Sequence, residues 1–170
     1  MQILAISGSL RAGSSNTALL ETIARAICAP TEMQLFEGLG SLPAFNPDLD
    51  ETAPASVTSF RAMVAAADAI AISSPEYAHG VPGVLKNALD WLVGSGELYR
   101  KPVGLLHLSD RGEYARASLR EILATMGAEI VLDIVVPKLP ADRLGTASGE
   151  ASQTLDIAAA VEALARVPLS

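Results

Sequence analysis

Two segments of the chain concentrate residues able to hold a ligand. The first, Gly8-Ser9-Leu10-Arg11-Ala12-Gly13-Ser14-Ser15-Asn16-Thr17, sets one fixed cation among neutral hydrogen-bonding side chains and two glycines. Glycine lets a backbone turn tightly and aim its N–H groups inward. The guanidinium of Arg11 is a planar fork suited to phosphate oxygens. A helix starting at the end of the loop would add its unpaired N–H groups and the positive end of its dipole. The same composition also describes an ordinary turn with serine or asparagine as a helix N-cap. Its place directly after the first strand favours phosphate. The loop lacks the Gly-Lys-Ser/Thr ending of an ATPase-type phosphate loop, and no Gly-x-Gly-x-x-Gly dinucleotide fingerprint is present.

The second segment, Ser73-Ser74-Pro75-Glu76-Tyr77-Ala78-His79-Gly80-Val81-Pro82-Gly83, is stiffened by two prolines and opened by two glycines. Such a loop can lay backbone N–H groups along the edge of a flat heterocycle without side-chain obstruction. It also reads as a plain strand-to-helix connection in which Tyr77 packs and Glu76 caps a helix. His79 reads as a solvent-facing loop histidine in preference to a general acid.

The elements that would position these loops alternate along the chain. Strand patterns cover Ile3–Ile6, Met33–Phe36, Ala69–Ser73, Val103–Leu108 and Ala128–Ile134. Helix patterns cover Asn16–Ala29, Ser56–Ala66, Val81–Val93, Tyr114–Met126 and Ala151–Val167, with Pro82 near the first turn of the third. Gly38–Pro54 is a long irregular connection. No repeat or linker interrupts residues 1–170, so a single domain is expected. Five strands alternating with five helices imply an α/β three-layer sandwich with a parallel sheet. The common order for this count is 2-1-3-4-5, which puts a ligand crevice at the carboxyl ends of strands one and three. The two unusual loops leave those strands.

Composition narrows the function classes. Aromatic residues make up 4% of the chain, so the core must be aliphatic, as suits a parallel sheet buried under helices. A net charge of −7 argues against a nucleic-acid partner, which needs a basic face. No apolar run approaches the ~20 residues that span a membrane, and no signal peptide is visible, so a soluble, cytoplasmic protein without a membrane partner is expected. Cys28, the single cysteine, cannot form an internal disulfide and is expected as a buried small hydrophobe at a helix end.

Together these segments resemble the NADPH-dependent FMN reductase family, which includes quinone, chromate and azo-dye reductases. The resemblance rests on Gly-Ser-Leu-Arg-Ala-Gly-Ser-Ser-Asn at 8–16 and on Pro75-Glu76-Tyr77 through Val81-Pro82-Gly83-Val84-Leu85-Lys86-Asn87-Ala88-Leu89-Asp90-Trp91. Leu42-Pro43-Ala44-Phe45-Asn46 and Ala67-Asp68 sit where comparable family segments would. The resemblance implies a flavodoxin-like fold and FMN as cofactor, with its phosphate held by Ser9, Arg11, Ser14, Ser15, Asn16 and Thr17. Pro75, Glu76, Tyr77, Ala78, His79 and Gly80 would line the flavin ring, with Ser109 as a ring or ribityl contact. It further implies NADPH or NADH as electron donor, a small-molecule acceptor, and a homodimer or homotetramer supported by the Leu85–Trp91 helix. No side-chain acid or base and no metal are nominated, because the cofactor carries the chemistry. Many relatives have Asn and Ser where this chain has Ala78 and Gly80, and a glycine run where it has Ser109-Asp110-Arg111-Gly112-Glu113-Tyr114. The alternatives are a non-enzymatic flavodoxin-type electron carrier and a flavin-free scaffold keeping only the fold. Arg11 and the scarcity of aromatics disfavour the carrier; the intact first loop disfavours the scaffold.

Overall fold

A computed structural model describes residues 1–108, 112–136, 148–164 and 166. Five strands, β1 (Gln2–Ser7), β2 (Glu32–Leu35), β3 (Ala69–Ser73), β4 (Pro102–His107) and β5 (Glu129–Val135), form one sheet in the order β2-β1-β3-β4-β5. Every adjacent pair is parallel. Five helices alternate with them: α1 (Ser15–Ala26), α2 (Ala55–Ala66), α3 (Gly83–Asp90), α4 (Glu113–Thr125) and α5 (Ser148–Leu164). This is the flavodoxin-like arrangement expected from the alternation, with the expected strand order.

Each central strand sends alternate side chains to opposite faces, and the two faces differ in bulk. Leu4, Ile6, Ile70, Ile72, Val103 and Leu105 form one core with the helices α2, α3 and α4. The other face carries Ala5, Ala69 and Ala71 under α1 and α5. Gly104 continues this shallow face: a Cβ there would lie 2.6 Å from Leu164 Cδ1. Small residues let α5 lie close to the sheet, while branched residues fill the deeper space opposite.

Several expected boundaries move. The helix expected over Asn16–Ala29 ends at Ala26, where Ile27 turns to an extended conformation. Cys28 therefore lies on the exposed turn beyond the helix and is not buried. The helix expected over Val81–Val93 is shortened to Gly83–Asp90, with Pro82 as its N-cap residue. The carbonyl of Trp91 leaves the helical pattern to accept from Arg61 Nε and Nη2, at 2.8 and 2.7 Å. Trp91 and Leu92 are fully buried within one chain, so the surplus apolar surface expected around the third helix is covered by the chain itself. The irregular connection holds two short 3-10 turns, Leu39–Ser41 and Pro47–Leu49. It docks on α3 through Asn87, which accepts from Phe45 N–H (2.8 Å) and donates to the Pro43 carbonyl (2.9 Å). The Trp91 indole N–H donates to the same carbonyl at 2.8 Å, and its ring meets Phe45 edge-on at 5.0 Å. Residues 165 and 167 of the expected last helix lie outside the described residues.

Candidate functional site

The carboxyl ends of β1, β3 and β4 lie side by side on one edge of the sheet, where the strand order reverses and a ligand crevice is expected. The first loop is pinned there by Gly8 N–H, which donates to the Ser73 carbonyl at 2.9 Å. Gly8 has no room for a side chain: a Cβ would lie 2.8 Å from Ser74 Cβ and 3.2 Å from Leu85 Cδ2. The two candidate loops thus touch at this glycine.

Ser14 is the N-cap of α1, its hydroxyl accepting from Thr17 N–H at 3.3 Å. Capping and anion binding are compatible here, because a hydroxyl that accepts still has a proton to donate. Ser9 is in the same state, accepting from Arg11 N–H at 3.3 Å. Thr17 turns inward and shares a 2.7 Å hydrogen bond with Ser7. Asn16 is tied by its oxygen to the hydroxyl of Ser73 at 2.9 Å, and that hydroxyl also meets the Leu106 carbonyl at 2.9 Å. Among the described residues, the backbone N–H groups of Ser15 and Asn16 have no partner and the exposed Arg11 guanidinium has no ion pair. The first turn of α1 carries no acidic residue. One loop and helix start therefore supply two free helix N–H groups, the positive end of the helix dipole and an exposed arginine without an ion pair, the kinds of donor a phosphate needs. A Cβ at Gly13 or at Gly83 would meet nothing within 4 Å, so glycine there leaves open surface and solves no packing problem.

The second loop folds into a tight turn. Tyr77 and Gly80 exchange backbone hydrogen bonds of 3.1 and 2.9 Å, with Ala78 and His79 at φ +49° and +57° between them. Both central residues are left-handed, the type I′ pattern that glycine and asparagine adopt most easily. Ala78 holds this conformation with no side-chain hydrogen bond to offset it, a strain of about 1 kcal/mol. Tyr77 is 55% exposed at the tip. Among the described residues the N–H groups of Ala78 and His79 have no partner.

Sequence reasoning did not foresee how this loop joins α4. Glu76 extends to the start of that helix, where its carboxylate accepts from Ala115 N–H at 2.7 Å. His79 stacks on Tyr114, ring centroids 4.3 Å apart and planes 18° from parallel. Nor did it single out Ser7 and Ser73, which hold Thr17 and Asn16 from below. Their signal is in the sequence: each is a hydroxyl ending an otherwise aliphatic strand. Ser109 lies outside the described residues.

Beneath the start of α4, His107 ends β4 and is buried, its Nε2 3.0 Å from Asp133 Oδ1. Asp133 also pairs with Arg116 at 3.3 Å and with Arg120. Burial, and then the Arg116 and Arg120 charges, push the His107 pKa below the ordinary 6.5; Asp133 opposes them. A neutral imidazole donating to a carboxylate shared by two arginines is a structural brace between β4, β5 and α4.

A sheet of this order, with a phosphate-type donor set at its reversal point, defines a flavodoxin-like α/β protein. The sequence profile of the NADPH-dependent FMN reductase family matches residues 1–138. The chain belongs to that family, whose cofactor is FMN and whose electron donor is NAD(P)H. It is 38% identical over 127 residues to the NADH:(hydroxy)cinnamate reductase subunit CrdA of Vibrio ruber, an alignment covering 72% of this chain and 62% of that protein. It is 33% identical over 139 residues to the quinone reductase of Escherichia coli K12, covering 77% and 73%. The FerB flavoenzyme NAD(P)H:(acceptor) oxidoreductase of Paracoccus denitrificans has a similar structure, with TM-score 0.79, 25% identity and 97% of both chains covered. Among the described residues no helix is long and apolar enough to cross a membrane.

Proposed function

We propose that the cleft binds FMN and that the protein passes electrons from NADH or NADPH to a small acceptor, with a quinone as the first candidate. The observation that carries this reading is the first loop itself, in which an exposed Arg11 without an ion pair among the described residues precedes a helix start whose Ser15 and Asn16 N–H groups are free. An arginine held in a helix-start loop with neither carboxylate nor carbonyl partner among the described residues is poised for an anion. Arg11, the hydroxyls of Ser9 and Ser14, the Asn16 amide and the α1 N-terminus would hold the phosphate. The Thr17 hydroxyl, engaged by Ser7, would keep that loop in shape.

FMN, when bound, accepts hydride from the nicotinamide and delivers electrons to the acceptor. The chain's own part is to bind and orient. The turn at Tyr77–Gly80 offers the N–H groups of Ala78 and His79 to a ring edge, while Gly80 and Gly83 keep the approach open. No acid or base is assigned. The quinone acceptor is supported by the quinone reductase of E. coli and by the 2-hydroxy-1,4-benzoquinone reductase of a Burkholderia species, 39% identical over 92 residues. A homodimer, or a tetramer of two such pairs, rests on Val93 and Tyr99 beyond α3, which are 61% and 70% exposed. A cytoplasmic location fits the lone cysteine and the absence of a long apolar run.

The test is the visible spectrum of the purified protein before and after anaerobic NADPH. Bound flavin that bleaches with NADPH supports a reductase. Flavin that bleaches only when a separate reductase is added makes the protein a carrier. A protein that takes up no flavin loses the assignment.

A further inference from the structure

The turn at Tyr77–Gly80 and the first turn of α4 are far apart in sequence and are joined side chain to helix in two ways. Glu76 reaches 2.7 Å to the Ala115 amide, and His79 stacks on Tyr114 at 4.3 Å. The start of α4 has no cap of its own. Its N-cap residue is Gly112, which has no side chain to offer. A helix start leaves amide N–H groups unsatisfied, and a carboxylate is the best partner for one, since it meets both the donor and the positive end of the dipole. The carboxylate comes from the other loop.

We propose that Glu76 is a positioning residue that acts through α4. By capping that helix from the Tyr77–Gly80 turn it fixes the distance between that turn and the start of α4, and the His79–Tyr114 stack fixes their relative tilt. The inference rests on the reading of the cleft as the FMN site. Glu76→Ala should leave the fold intact, because Glu76 is half-buried at the surface and lies outside both cores. The turn and the helix start then lose their tie and must be reordered each time cofactor binds.

The test compares wild type, Glu76→Ala and Glu76→Gln, each checked by circular dichroism. Gln keeps an acceptor oxygen at the same reach and removes the charge. Hydrogen exchange of the Ala115 amide, read by NMR on the apoprotein, reports the cap without any cofactor. In Glu76→Ala it should accelerate about tenfold or more, the range for losing a hydrogen bond to a charged acceptor. FMN titration should then show binding weakened about five- to thirtyfold. Glu76→Gln should restore most of both. Unchanged Ala115 exchange in Glu76→Ala would mean that the cap does not exist. Faster exchange with unchanged FMN affinity would mean that the cap does not position the site. A Gln variant that protects the amide but binds FMN as poorly as Ala would return Glu76 to direct contact with the cofactor. If wild type itself binds no FMN, it is the cofactor reading that fails, and the exchange measurement still decides the cap.

Discussion

Arg11 and His107 show how differently two charged-type residues at one cleft can behave. Arg11 stands exposed with no ion pair among the described residues, so removing it leaves nothing stranded. If it grips a phosphate, its charge-assisted bonds contribute roughly 1.5–3 kcal/mol to binding. Arg11→Ala should therefore weaken FMN about ten- to a hundredfold with the circular dichroism unchanged, and Arg11→Lys should recover part of the loss, keeping charge but not the planar fork. Unchanged affinity in a folded variant would remove Arg11 from the phosphate site. His107 is the opposite case, buried and braced against Asp133, Arg116 and Arg120. Its pKa is lowered on folding. The unfolded chain then binds more protons than the native one below about 6.5, so stability rises with pH across that window and is lost as pH falls toward the depressed value. Urea unfolding of wild type and His107→Gln between pH 5 and 7 measures this: the wild type should lose more stability on acidification than the variant. Equal slopes would show that His107 carries no such linkage.

At the scale of elements, one arginine clamps the far end of the long connection between β2 and α2. Arg61 donates to the Trp91 carbonyl and to Asp50, backbone and side chain, and so joins the end of α3 to the far end of that connection. Asp50 is about a third exposed and water replaces part of what it loses, so Arg61→Ala should destabilise by about 2–3 kcal/mol. A chemical denaturation midpoint within error of wild type would count against the clamp. The same clamp shows what could be read from sequence and what could not. The strands were legible to within a residue or two because buried parallel strands appear as aliphatic runs closed by turn residues. Number and alternation do not by themselves give strand order; the common order for five strands is the one found. The end of α3 was not legible: no glycine or proline marks Trp91, and its carbonyl is held by an arginine thirty residues earlier. The end of α1 was placed three residues late, which put Cys28 on the wrong side of the surface. At the site, the phosphate-type loop and its N-cap were legible from local composition, because loop and cap are contiguous. The ties from Glu76 to Ala115 and from His79 to Tyr114 span 39 and 35 positions and exist only once the sheet has brought two strand ends together.

For the whole molecule, one open cleft edge has to receive both nicotinamide and acceptor. Two substrates that use the same face in turn should compete, so initial rates with NADPH and a quinone should give parallel reciprocal lines and substrate inhibition at high concentration of either. Intersecting lines would mean that both occupy the protein together. Self-association is the second expectation at this scale. The apolar residues within α3 are consumed by the chain's own core, while Val93 and Tyr99, just beyond it, are among the exposed large hydrophobic residues. Sedimentation at micromolar concentration should give a dimer or larger, and Val93→Glu with Tyr99→Glu should shift it toward monomer. A monomeric wild type would remove the assembly proposal.

The seat of Trp91 has a photophysical consequence. The chain has one tryptophan, so its ultraviolet emission has one origin. That origin is sealed from water and tethered to Pro43 by its indole N–H, beside the edge of Phe45. Emission should be blue-shifted while residues 43–45 stay docked and move to the red as soon as they lift away, even with every helix intact. A denaturant series followed by tryptophan emission and by far-ultraviolet dichroism at once would therefore separate the release of that segment from the collapse of the sheet, using a reporter already built into the chain.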